Sequence, residues 1–96
     1  MKNKKKLIAL VEESGIHCNI VSPHRQKDIY YFLWMCEVQK SLREAGEYDT
    51  VIVQVIEKDF EYFAQYRESN KEFRYTTIFE SYEDALEDGL IEALEI

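Results

Sequence analysis

Glycine occurs three times in these 96 residues, proline once and cysteine twice, and each scarcity excludes something. Gly15, Gly46 and Gly89 stand too far apart to build a glycine-rich phosphate loop. Two cysteines make no disulfide scaffold and point to a reducing compartment, so a cytoplasmic location is expected. No apolar run approaches the roughly 18–20 residues that span a bilayer; the longest, Ile29 to Cys36, has eight. The basic start, Met-Lys-Asn-Lys-Lys-Lys, leads into only five apolar residues, Leu7 to Val11, before Glu12 and Glu13, which does not make a signal peptide. Basic residues are outnumbered 12 to 19, leaving a net charge of −7. That argues against a nucleic-acid partner, whose phosphates would have to be neutralised by Lys and Arg.

What is present suits one small domain. Hydrophobic residues make up 46% and aromatics 14% of the chain, enough for a single core. The charge is lopsided: residues 1–46 hold eight basic and five acidic side chains, residues 47–96 four basic and fourteen acidic. Such a two-signed chain can pair head to tail with another copy or offer its acidic part to a basic protein. The plainer alternative is that the acids form the solvated side of a helix.

Periodicity predicts an α+β fold of order α-α-β-β-β-α, a three-stranded antiparallel sheet covered by helices on one face. The first helix, within residues 1–15, carries Leu7, Ile8 and Val11 on one side and stops at Gly15. Residues 16–21 read equally as an edge strand or an extended connector. A long helix over residues 22–46 opens at Ser22-Pro23 or a turn later near Asp28, and its core stripe is Tyr31, Met35, Val38, Leu42 and Ala45. The β-branched run Thr50 to Glu57 predicts a strand covered on both faces. Phe60, Tyr62, Ala64 and Tyr66 predict the inner face of a second strand, and Phe73, Tyr75, Thr77 and Phe79 that of a third. Short connections, Lys58-Asp59 and residues 68–71, make neighbouring strands antiparallel hairpins. Ser81 caps a last helix over residues 81–96; Gly89 inside it is either approached closely by the sheet or the long helix, or is a tolerated defect.

The candidate functional residues follow from surplus. Tyr30, Leu33 and Trp34 widen the apolar arc of the long helix beyond what one sheet covers, so they are candidate contacts for a second copy. Glu83, Glu87, Asp88 and Glu92 form a candidate acidic face for a basic partner. The aromatic strand residues have two readings, a core beneath the helices or an open stacking surface. His17, Cys18, His24 and Cys36 are the metal-ligating types, yet they lack the close cysteine pair of structural zinc sites. In extended chain, neighbours point to opposite sides, so His17 cannot reach Cys18 as a base; His24 has no third group to orient it. No cofactor, metal or catalytic residue is expected.

Two likenesses accompany this reading. Helix, three antiparallel strands and helix resembles the element order of double-stranded RNA-binding domains. Their last helix opens with lysines where this chain has Ser81-Tyr82-Glu83-Asp84, so the RNA-binding role is not implied. The stretch from Phe79 to Ile96, together with Trp34 and Leu42-Arg43-Glu44, is similar to short uncharacterised proteins of prophages and mobile elements of gut bacteria. A Ser-Tyr-Glu-x-Ala helix after a small sheet also resembles antitoxins, which implies a partner protein. The expectation is a small protein working through protein contacts, self-associating, or alternatively an acidic nucleic-acid mimic or antitoxin-like inhibitor of a basic protein.

Overall fold

The computed structural model describes residues 3–16, 18, 23, 27–44, 51–68 and 71–95. The elements run α1 (Lys4–Ser14), α2 (Asp28–Glu44), β1 (Val51–Lys58), β2 (Glu61–Glu68), β3 (Arg74–Tyr75) and α3 (Tyr82–Leu94). The sheet is antiparallel in the order β1-β2-β3. It is an α+β fold with the helices packed against the sheet, as the periodicity predicts. The molecule measures 34 × 34 × 17 Å, a thickness that accommodates one helix layer about 10 Å above one sheet.

Local chemistry places the ends. Gly15 takes φ 73° as the left-handed cap of α1, a conformation that costs glycine little. Ser81 caps α3 by accepting from the Asp84 amide at 3.2 Å, while its hydroxyl donates to Asp84 Oδ2 at 2.9 Å. The proposed opening of the long helix at Ser22, its stop at Gly46 and a fourth strand over residues 16–21 fall outside the described residues or are described only at Ile16 and Cys18.

Alternation decides the inner face of the sheet. Val53, Ala64 and Tyr66 are buried, and Val51 and Val55 pack against the same core as Leu7, Ile8, Tyr31, Trp34 and Leu86. Gly89 explains how close α3 lies: a Cβ there would stand 2.5 Å from Ala64 Cβ and 3.1 Å from Val53 Cγ1. The close approach is therefore to the sheet. On β1, Gln39 of α2 donates to the Val53 carbonyl at 2.5 Å.

Three expectations need correction. First, among the described residues β1 is covered on one face only: Ile52 and Ile56 lie outside the core cluster. Second, Phe60 is no inner-strand residue but half of the turn Asp59-Phe60, and it is 87% exposed. Third, the last strand does not keep one face from Phe73 to Phe79. Pairing runs Tyr66↔Arg74 and Gln65↔Tyr75, then resumes as Tyr62↔Phe79, one residue out of register. The extra residue is a bulge, so Phe79 changes face relative to Tyr75; before it, the register puts Thr76 opposite Ala64 and Tyr75 opposite Gln65. Thr76 turns inward and supplies a side-chain rung: the Ala64 amide donates to Thr76 Oγ1 at 2.9 Å, and the Thr76 amide donates to the Ala64 carbonyl at 2.9 Å. Tyr75 turns outward, its ring 6.1 Å from that of Phe63.

Candidate interaction surfaces

The three candidate contact residues on α2 do not share one environment. Trp34 is 1% exposed, its ring stacked on Tyr31 at 5.9 Å, inside the core. It is not available to a partner, because α2 turns that edge toward its own fold. Tyr30 is half-buried, whereas Leu33 stays 50% exposed. Ile29, one turn before Leu33, is 67% exposed and was not singled out by the sequence reading. Beside them the Phe32 ring meets Tyr82 edge-on at 5.8 Å, and Tyr82 meets Tyr62 at 6.4 Å. A cleft of about 310 Å³ lies where α2 and α3 begin, lined by Ile29 and Phe32 with Asp28, Glu83 and Asp84 around it.

The acidic face is also divided. Glu87 is buried and hydrogen-bonded through both oxygens: Oε2 accepts from the Tyr31 hydroxyl at 2.6 Å and Oε1 from the Asn3 amide at 3.0 Å. Short O–H···O⁻ bonds of this kind are charge-assisted. Burial pushes the Tyr31 phenol up, and the Glu87 carboxylate beside it works the same way, so the proton stays on the tyrosine. Glu87 is therefore removed from any solvent-facing array. Glu83 and Asp88 are half-buried.

Glu92 accepts from the Tyr66 hydroxyl at 3.3 Å, and its other oxygen is buried without a partner among the described residues. Burial, and then Asp88 one turn earlier, push its carboxyl up to about 7; the Tyr66 bond opposes them and Glu95 adds to them. A carboxyl that keeps part of its proton up to about pH 7 attracts a cation less than an ordinary one does.

Part of the lopsided charge is answered inside the chain. Basic α1 packs on acidic α3. Lys6 pairs with Glu95 at 2.8 Å, Lys4 lies 5.4 Å from the Tyr31 ring centre, and Glu87 ties down the start of α1. No sequence signal links Tyr31 with Glu87 across 56 residues.

The aromatic strand residues, expected either as core or as an open stacking surface, divide: Tyr66 is buried, Tyr62 and Phe73 are half-buried, and Phe60 and Tyr75 are exposed. Asp59 and Phe60 have φ 54° and 64°, the pattern of a type I′ turn, which favours Asn-Gly or Asp-Gly. A bulky side chain in that region carries a strain of about 1–3 kcal/mol, and Phe60 gains no burial against it. The available signal was the hairpin length: a two-residue connection starting after Lys58 puts Phe60 where glycine belongs.

Among the described residues, no three His, Cys, Asp or Glu are grouped to hold a metal; His17 and His24 lie outside them. Cys18 and Cys36 are free and half-buried. Burial pushes both thiols up, with Ser41 bonded to Cys18 working against it, which keeps them protonated and weakly nucleophilic. No described helix is long and apolar enough to cross a membrane. No family model, curated protein or solved structure matches this chain.

Proposed function

We propose that this is a cytoplasmic, non-catalytic protein that works through protein–protein contacts, association with its own kind first among them. The observation that carries the proposal is the placement of large apolar side chains in water. Phe60 is 87% exposed, Ile29 67%, Ile78 62%, Tyr75 59% and Leu33 50%. Scattered singly, such residues need no explanation. Here Ile29 and Leu33 are one helical turn apart on α2, and Tyr75 touches Phe63 on the sheet, so they gather into patches of the kind that mark contact sites.

The alternative of an acidic mimic or antitoxin-like inhibitor draws less support. Glu87 is engaged inside the fold, and Glu92 is held partly protonated. Light scattering over a dilution series tests the main reading. Association is expected. A monomer at every concentration up to about 1 mM, where even a contact of about 4 kcal/mol shows itself, overturns it.

A further inference from the structure

We propose that the outer face of the sheet is where a second copy of this chain docks, sheet against sheet, with Phe60 anchoring the contact. The inference rests on the self-association proposed above and names its surface.

Three observations concern this face, and a fourth concerns the turn that joins its first two strands. An apolar row crosses all three strands on this face. Ile56 pairs directly with Phe63, the Phe63 ring lies 6.1 Å from Tyr75, and none of the three belongs to the core cluster.

The charge pattern selects a second copy as the occupant. The chain carries −7, so two copies meeting through α3 or the acidic cleft would set carboxylates against carboxylates. On the outward-pointing positions of β1 and β2 the one carboxylate is Glu61, directly across from Lys58. The Arg67 guanidinium lies over the Phe73 ring, 4.5 Å from its centre, and Gln65 already donates to Gln54 at 2.9 Å in the middle of the face. This surface can therefore meet its own image about a two-fold axis with little like-charge repulsion.

Size agrees with that arrangement. A flat molecule 34 Å by 34 Å across has room to bury the roughly 800 Å² per partner of a standard interface, and facing sheets pack about 10 Å apart.

The fourth observation is Phe60. Its backbone is in the left-handed region at φ 64° and its ring is 87% exposed. In a lone chain neither conformation nor burial accounts for phenylalanine there. Local strain with no local compensation marks a group that acts on something outside.

The same strain makes the test clean. Phe60→Gly restores a favoured Asp-Gly turn. Measured at a dilution where every variant is monomeric, its Tm is expected to rise by about 5 °C, while its dimer weakens at least tenfold by light scattering. Loss of dimer in that variant cannot be put down to unfolding. Ile56→Lys with Tyr75→Lys places four cations in the paired faces and is expected to leave monomer only.

A wild-type dimer that survives both variants overturns the assignment of the face and leaves self-association standing. So does a dimer dissolved by Leu33→Lys but not by them. A fall in the Tm of Phe60→Gly overturns the role of Phe60 as an anchor. A wild-type chain that never dimerises overturns the self-association reading itself, and this inference with it.

Discussion

The two faces of the sheet are built from similar residues and lead opposite lives. On one, Val53, Ala64 and Tyr66 are buried under α3 and α2; on the other, Ile52, Ile56 and Phe63 stay half-exposed and apart from the core. Strand hydrophobicity does not distinguish them. The difference comes from small residues: Gly89 on α3 and Ala64 on β2 let a helix backbone settle on the inner face. The outer face has no such seat among the residues described. An apolar strand can thus be a core wall on one side and a contact surface on the other.

Substitutions can break or sharpen that contrast. The largest effect belongs to the core beneath the inner face. Trp34→Ala is expected to destabilise by about 3–5 kcal/mol, whereas Tyr75→Ala on the outer face changes the monomer by about 0.5 kcal/mol or less. Urea denaturation of dilute samples reads both, and comparable losses would erase the distinction between the faces.

Next comes the buried carboxylate under the helix layer. Tyr31→Phe removes the hydroxyl 2.6 Å from Glu87, leaving one oxygen of a buried charge unpartnered, and should lose about 2 kcal/mol. An unchanged denaturation midpoint would mean that water replaces the bond.

Gly89→Ala tests the seat itself. Helix propensity favours alanine by about 1 kcal/mol, but the methyl would collide with Ala64 Cβ at 2.5 Å, and overpacking of this kind costs about 1–3 kcal/mol. The expected sum is a loss of about 1 kcal/mol. A gain would show that α3 lifts from the sheet without penalty.

The smallest effect is a pH dependence at the edge of the inner face. Burial and Asp88 raise the Glu92 carboxyl from an ordinary 4.5 to about 7 in the folded chain. The folded state therefore holds a proton that the unfolded state has lost over that interval. This contribution is fully present below pH 4.5 and declines as pH rises through 7. Because the side chain is only half-buried and partly screened by water, the decline is roughly 1 kcal/mol rather than the full shift. Glu92→Gln should flatten this part of the profile and leave the variant the more stable at pH 8. A wild-type profile flat between pH 4.5 and 8 would rule it out.

Legibility followed the range of the interaction. Helix ends set by Gly15 and Ser81, and the stripes Leu7-Ile8-Val11 and Tyr31-Met35-Val38-Leu42, depend on neighbours a few residues away and stand in the structure as their spacing predicts. The candidate surfaces were less visible. Trp34 and Leu33 are adjacent in sequence, yet one is 1% exposed and the other 50%, because successive helical positions turn by about 100° and only packing says which edge is covered. Glu87 and Glu92 look alike in the sequence. They part company because one meets Tyr31 from α2 and the other meets Tyr66 from β2. The bulge beyond Thr76 left no mark in a run that alternates on paper, and it puts Phe79 opposite inward-facing Tyr62 although Tyr75 lies opposite outward-facing Gln65.

By itself, the order of residues determined the element types, the antiparallel hairpins and the imbalance of charge, since dihedral preference, capping and side-chain period are local. Tertiary structure alone decided which apolar residues meet water, which acids are shielded, and that basic α1 lies on acidic α3 within one chain. Burial and pairing arise between residues far apart in sequence, and no local pattern records which of them will meet.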